Sequence, residues 1–277
     1  MFAEAARHRL LGQPLWQINS RLGIVCWANT RTMANLIMPP EAEMASKSAW
    51  RKAFGRVLSQ LEQKNITAQS VQATEKLISM PVYQDARSIS VFLAMPNGEL
   101  QTEGIVRHAL KAGKNVFVPY IKRKPASMHM LRLEDEADLD SMQPDKWGIP
   151  SLNTETIDAR VNCFGYRGIE LQNQDSQSQE FDAGLDLVLL PCVAFDQEYN
   201  RLGHGKGYYD RFLTRYFETV GMNGDSYRKP YLIGLALAEQ FLPDPNRLPM
   251  EEWDHKVDAL LLGDRLLVRV PPASRTS

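Results

Sequence analysis

Between residues 200 and 212 the chain reads Asn200-Arg-Leu-Gly-His-Gly-Lys-Gly-Tyr-Tyr-Asp-Arg-Phe212, with Gly203, Gly205 and Gly207 alternating with His204 and Lys206. Glycine lets the backbone take positive φ and come close to a ligand. Successive N–H groups can then converge on an anion, helped by the N-terminus of a following helix. Arg201 and Lys206 would add full charges to those partial ones. The chemistry this spacing suggests is a phosphate cradle; the bland alternative is a mobile turn carrying two cations. It is not a P-loop, because Gly207 follows Lys206 where a Ser or Thr would hold magnesium, and it is not the dinucleotide fingerprint, whose third glycine falls one position later. Asp210 is either an ordinary acid in a first helical turn or a magnesium ligand facing the same phosphates. Tyr208 and Tyr209 read equally as packing residues or ligand contacts.

Two further clusters could join this loop. Trp253-Asp-His-Lys-Val-Asp258 places Asp254 and Asp258 four residues apart before a predicted strand, where an acid is a second metal ligand or a solvated turn. Lys47 and Arg51 stand at i and i+4, on one face of a predicted helix, which by default is a solvated surface. Cys26, Cys163 and Cys192 form no Cys-x-x-Cys pair and are too few for a disulfide framework, so a reducing compartment is expected. The five histidines show no i, i+4 pairing, which argues against structural zinc.

The elements that must position these groups follow from periodicity. Trp50, Phe54, Val57, Leu58 and Leu61 form one stripe of a helix over Ser46 to Lys64 with Ser46 as N-cap, and a shorter helix is predicted over Val71 to Ser79, ended by Pro81. Arg87 to Ala94 reads as a buried strand, Thr102 as the cap of a helix closed by Gly113, and Val116 to Pro119 and Met128 to Leu133 as strands. Trp147-Gly-Ile-Pro150 is a loop. Leu185 to Pro191, Tyr231 to Ala238, Ala259 to Leu262 and Leu266 to Val270 are further strands, with a helix over Tyr208 to Thr219. Strands alternating with helices predict an α/β fold, a single three-layer α/β/α domain with a mostly parallel central sheet. Its ligand belongs beyond the carboxyl ends of the strands.

The domain is expected over 44–270, with a flexible polar insertion at about 153–183 and a tail at 271–277. Residues 1–43 carry four arginines against one acid before Glu41. They read as an organelle transit peptide, as sequence upstream of a start at Met44, or as a structured arm. The 277 residues are 44% hydrophobic and 23% charged, and the net charge of -1 supplies no global field for nucleic acid or an anionic membrane. No apolar run approaches the ~20 residues of a membrane span.

Read in order, Lys47-Ser-Ala-Trp-Arg51, Ser90-Val-Phe-Leu-Ala-Met-Pro-Asn-Gly-Glu-Leu-Gln-Thr102, Trp147-Gly-Ile-Pro150, Phe195-Asp196 with the glycine loop, and Asp254-His-Lys-Val-Asp258 resemble the 5-formyltetrahydrofolate cyclo-ligase family, from Met44 to about Gly263. The resemblance implies an ATP- and Mg²⁺-dependent closure of 5-formyltetrahydrofolate to 5,10-methenyltetrahydrofolate with release of ADP and phosphate. The formyl oxygen would attack the γ-phosphate, the imino-phosphate carbon would be attacked by the second folate nitrogen, and phosphate would leave. Such phosphoryl transfer needs positioning and charge neutralisation.

By that resemblance Lys47, Arg51, Arg201, Gly203, His204, Gly205, Lys206, Gly207, Tyr209 and Asp210 bind ATP. Lys206 and Arg201 act at the transferring phosphate, and Asp210 and Asp254 hold magnesium. Leu93, Met95, Glu99, Trp147 and Tyr208 face the folate, with Glu99 accepting from pterin N–H donors. Two departures are visible: His204 stands where relatives commonly carry Arg, and Ser151-Leu152 follows the Trp-Gly-Ile-Pro segment where many relatives have acid-proline. The expected partners are the two small molecules only, with no nucleic acid, no membrane and a monomeric chain, in the cytoplasm or in mitochondria if residues 1–43 are an address. The competing readings are a non-catalytic folate- or nucleotide-binding relative and, by architecture alone, a sugar-phosphate isomerase or acyl-CoA transferase.

Overall fold

A computed structural model describes residues 38–169, 184–222 and 229–269. The readings placed on 1–37 and on the tail at 271–277 lie outside them. The central sheet has seven strands in the order β12-β11-β9-β6-β1-β2-β3: β1 is Ser88–Ser90, β2 Asn115–Arg123, β3 Ala126–Leu133, β6 Leu187–Leu190, β9 Tyr231–Ala236, β11 Ala259–Leu262 and β12 Arg265–Val268. The four inner pairings, from β11 through β9, β6 and β1 to β2, are parallel. Antiparallel β12 and β3 close the two edges.

Alternation along the strands divides the core in two. Ile89, Leu187, Leu189, Ile233, Leu235, Ala259 and Leu261 face one side, where they meet α2 (Gln63–Ile78) through Ile66, Ala73 and Leu77 and α4 (Glu103–Lys111) through Ile105, Val106 and Ala109. Val188, Leu190, Leu232, Ala236, Leu260 and Leu262 face the other. There α6 (Tyr208–Met222) covers them with Phe212, Leu213 and Tyr216. Strands buried on both faces read as continuous apolar runs for this reason. The expected α/β/α layering and mostly parallel sheet are therefore present.

A third cluster makes the platform for the glycine loop. A small sheet of β10 (Phe241–Leu242), β7 (Ala194–Asp196) and β8 (Arg201–Leu202) packs Val193, Ala194, Leu202 and Leu242 against Trp50, Ala53 and Phe54 of α1 (Lys47–Leu58). The buried Asp196 carboxylate accepts from the backbone N–H groups of Glu198, Asn200 and Leu248 and from the Asn200 amide, at 2.9–3.1 Å. That knot fixes the turn from β7 into β8, which delivers the chain to Gly203.

Several expectations change. The first helix stops at Leu58 rather than Lys64, and the next begins at Gln63 rather than Val71. Its buried face, Ile66, Ser70, Ala73 and Leu77, has helical spacing but only two large apolar residues. Ser46 does cap α1, accepting from the Ala49 N–H, whereas the Thr102 hydroxyl donates to the Phe92 carbonyl instead of capping α4. The predicted strand Arg87 to Ala94 is shorter, Ser88–Ser90, with the Val91 N–H still donating to the Phe117 carbonyl at 2.9 Å and Val91 to Leu93 buried beyond it. The predicted strands at Val116 and Met128 are a longer hairpin of β2 and β3.

The polar segment 153–183 also divides. Residues Thr154–Ala159 form a 3-10 turn with Asn153 as cap, and Ile157, Val161 and Cys163 are buried, so this half packs on the core, and its apolar contacts were hidden among polar neighbours. Residues 170–183 lie outside the described part. Among the described residues no helix is long and apolar enough to cross a membrane.

Candidate functional site

A cavity of about 600 Å³ opens between the N-terminus of α1, the glycine loop, one face of α6 and the segment 251–254. Lys47 is the first residue of α1, and one helical turn later the Arg51 Nε donates to the Gly203 carbonyl at 2.7 Å. The loop cannot carry larger residues there. Gly205 has φ +98°, and a Cβ on it would stand 3.2 Å from the Arg51 Cζ.

The charged groups are largely paired with one another. Arg201, nearly buried, donates to the Asp210 Oδ2 at 2.7 Å. Its guanidinium also lies 5.6 Å from the Tyr209 ring centre, and its buried Nε has no acceptor among the described residues. Asp210 Oδ1 accepts from the His255 N–H at 3.3 Å. Burial pushes the Asp210 carboxyl up, but the charge and hydrogen bond of Arg201, with the His255 N–H, more than offset this and hold it below the usual carboxylate range. Lys47 Nζ reaches Asp254 at 2.5 Å and Glu251 at 2.8 Å. Burial pulls its ammonium down, and the two carboxylates overcome that and raise it. Among the described residues Arg51 has no carboxylate partner.

Arg211 and Arg215 complete the cationic lining and Glu218 the acidic, giving five cations against four carboxylates. The pocket is thus nearly neutral in itself: sequence reasoning placed Lys47, Arg51, Arg201, Asp210 and Asp254 in it, but not the pairing of these acids with Lys47 and Arg201.

Beside this cavity lies a less polar pair of loops. The buried Glu99 carboxylate accepts from the Met95 N–H through Oε2 at 2.8 Å, and Gln101 donates from its amide to the Met95 and Glu99 carbonyls. Gly148, at φ +79°, lies so close to Pro96 that a Cβ would stand 2.8 Å from its Cγ. That contact brings the Trp147 loop onto the loop of Leu93 to Glu99. Leu93 is buried and Trp147 is exposed. Glu99 Oε1 faces the His204 Nε2 at 3.9 Å, which joins the two halves.

The predicted residues are therefore not all in one place. Lys47, Arg51, Arg201, Gly203, Gly205, Gly207, Asp210 and Asp254 line the cavity. Lys206 and His204 are exposed on the loop without lining it, and Leu93, Met95, Glu99, Trp147, Tyr208 and Tyr209 also stand outside it. Tyr209 bridges the two main core clusters, and burial, with Glu99 nearby, pushes its hydroxyl far up. Sequence reasoning missed Glu251, Trp253 and the α6 residues Arg211, Thr214, Arg215 and Glu218. A signal for the last four existed, since with Gly207 and Asp210 they recur at spacings of three and four.

Among the described residues no three His, Cys, Asp or Glu side chains gather as a metal cage. Asp210 and Asp254 nevertheless line one cavity, as a cation that takes one or two carboxylates and completes its shell with water and phosphate oxygens requires. The donor set fits Mg²⁺ arriving with a phosphate ligand.

An α/β sheet with a glycine loop beside clustered cations and carboxylates defines the class: an α/β protein with a charged cavity at its glycine loop. Residues 43–263 match the 5-formyltetrahydrofolate cyclo-ligase family, and the chain belongs to it. It is 31% identical over 220 residues to the 5-formyltetrahydrofolate cyclo-ligase of Mus musculus, covering 79% of this chain and 95% of the relative. Identity to the probable 5-formyltetrahydrofolate cyclo-ligase of Schizosaccharomyces pombe is 28% over 225 residues, 80% of this chain and 97% of the relative. The solved structure of Aquifex aeolicus 5,10-methenyltetrahydrofolate synthetase superposes with a TM-score of 0.57 at 22% identity, covering 83% of this chain and 99% of that one, a likeness of fold.

Proposed function

We propose that the chain is an ATP- and Mg²⁺-dependent 5-formyltetrahydrofolate cyclo-ligase that forms 5,10-methenyltetrahydrofolate with release of ADP and phosphate. The observation that carries the reading is the cavity in which Lys47 and Arg51 of α1 meet the glycine loop and the carboxylates Asp210 and Asp254. A formyl oxygen is a poor leaving group until phosphorylated. Its attack on the γ-phosphate gives an imino-phosphate, the second folate nitrogen closes the ring on the activated carbon, and loss of phosphate leaves the methenyl bridge.

In this reading the backbone N–H groups of Gly203 to Gly207 and the cations Lys47 and Arg51 hold the phosphates, while Arg201 and Lys206 serve the transferring group. Lys206 has to reach it from the exposed loop. Asp210 and Asp254 hold the Mg²⁺, which when bound neutralises phosphate charge. Glu99 orients the pterin, and Leu93, Met95, Trp147 and Tyr208 cover its rings. Purified protein given 5-formyltetrahydrofolate, ATP and magnesium is expected to generate the methenyl product's near-ultraviolet absorbance, and none from folded protein would overturn the assignment.

A further inference from the structure

We propose that His255 is the positioning residue that sets Asp254 against Asp210, an inference that rests on the reading of these two carboxylates as Mg²⁺ ligands. The two acids share no element. Asp210 belongs to the first turn of α6, and Asp254 to an irregular segment ahead of β11. A cation taken by both needs their spacing held by something else.

The segment is fastened at both ends to other parts of the fold. Downstream, the buried Val257 donates its N–H to the Tyr199 carbonyl at 3.1 Å, and Asp258 exchanges hydrogen bonds with Leu232 of β9. Upstream, the Glu251 N–H donates to Asp254 Oδ2 at 2.7 Å, closing a turn, and Lys47 holds both carboxylates to α1. Among the described residues, the hydrogen bonds that join the segment to α6 are both made by His255. Its N–H donates to Asp210 Oδ1 at 3.3 Å, and its Nε2 lies 2.9 Å from the Thr214 hydroxyl. The ring also meets Phe217 edge-on, with centroids 5.5 Å apart. Asp210, Thr214 and Phe217 follow one another at spacings of four and three, so they form one stripe of the helix. One residue thus grips α6 over about two turns, and its neighbour in the chain is Asp254.

Mg²⁺ requires near-octahedral oxygens at about 2.0–2.1 Å, whereas Ca²⁺ accepts about 2.3–2.6 Å and irregular shells. Precise spacing therefore matters more to the smaller ion. Loss of a group that holds a metal's ligands in place typically costs about 10–100-fold in metal affinity. The test measures ATP binding by calorimetry in EDTA, in excess Mg²⁺ and in excess Ca²⁺, for wild-type protein and for His255→Ala, His255→Gln and Thr214→Val. Wild type is expected to bind ATP more tightly with Mg²⁺ than in EDTA. In His255→Ala that gain should shrink about tenfold or more, and by less with Ca²⁺, while the affinity in EDTA stays unchanged and so reports an intact cavity. Thr214→Val, which removes the hydroxyl and keeps the shape, should lose part of the gain, and combining it with His255→Ala should cost nothing further. His255→Gln, whose amide can meet the Thr214 hydroxyl, should recover part of it. An undiminished Mg²⁺ gain in His255→Ala, an equal loss in EDTA, or an equal loss for both ions overturns the positioning role. Wild-type protein that binds ATP equally in EDTA and in Mg²⁺ overturns the Mg²⁺ reading itself, and the role of His255 with it.

Discussion

The two halves of the site are prepared for their ligands in opposite ways. On the side proposed for phosphate, Lys47 is held by Asp254 and Glu251 and Arg201 by Asp210, so groups suited to an anion already have anionic partners. A phosphate entering there exchanges one ion pair for another, and its net gain is smaller than the number of cations suggests. On the side proposed for folate, Glu99 is 4% exposed, and one oxygen accepts from the Met95 N–H while the other, among the described residues, faces the His204 ring at 3.9 Å. That carboxylate is already desolvated, so a donor reaching it adds an interaction without displacing a strong one. The first half favours release and exchange, and the second favours selection.

The harshest way to break this contrast is Arg201→Ala. It strips the partner from an Asp210 side chain that is only 14% exposed, and an uncompensated buried charge costs about 3–5 kcal/mol. Chemical denaturation should register that loss at pH 7, with turnover falling about 10²-fold or more. The sign with pH is fixed. Asp210 lies below its ordinary 3.8 when folded, so the pair's contribution is complete above that value and is lost as pH falls through the lower folded one. The stability gap between wild type and variant should narrow toward pH 3; a gap that widens in acid would show that Asp210 is not the group responsible.

Next in size is Glu99→Gln, which keeps an acceptor for the Met95 N–H but removes the charge. Hydrogen bonds to charged groups contribute about 1.5–3 kcal/mol, so KM for the folate should rise about tenfold or more while ATP affinity holds. Equal losses for both substrates would mean that the two halves act as one. The smallest effect is expected from Glu251→Gln, because Glu251 is 49% exposed and Lys47 keeps Asp254. Stability should change by less than ~1 kcal/mol, and calorimetry should find ATP binding tighter by no more than about fivefold, since one competitor for Lys47 is gone. Weaker ATP binding would reverse the exchange argument.

The layers were legible in the sequence because strands buried on both faces leave continuous runs such as Leu187 to Leu190. The glycine loop and the Lys47–Arg51 pair were legible because their chemistry is local. Glu251 was not, since it matters only through Lys47, 204 residues away. The same distance hid the near-neutrality of the cavity. The full length of α2 was obscured by a buried face that includes Ser70 and Ala73, and the packed turn at Thr154–Ala159 by the polar residues around Ile157. Lys206 has the charge the loop calls for, but the backbone between positive-φ glycines turns its side chain to solvent.

The ion pair of Lys47 with Asp254 also has a meaning in time. Its partners are 207 residues apart, and a ribosome adding about 5–20 residues per second needs roughly 10 to 40 s between them. Arg51 waits likewise for Gly203, and Trp50 and Phe54 for the small sheet that buries them. For that interval the nascent chain carries two cations and an uncovered apolar helix face with nothing to receive them. A pocket whose first wall is made early is completed late, and a chain interrupted before residue 251 would carry Lys47 without either of the two carboxylates that offset it.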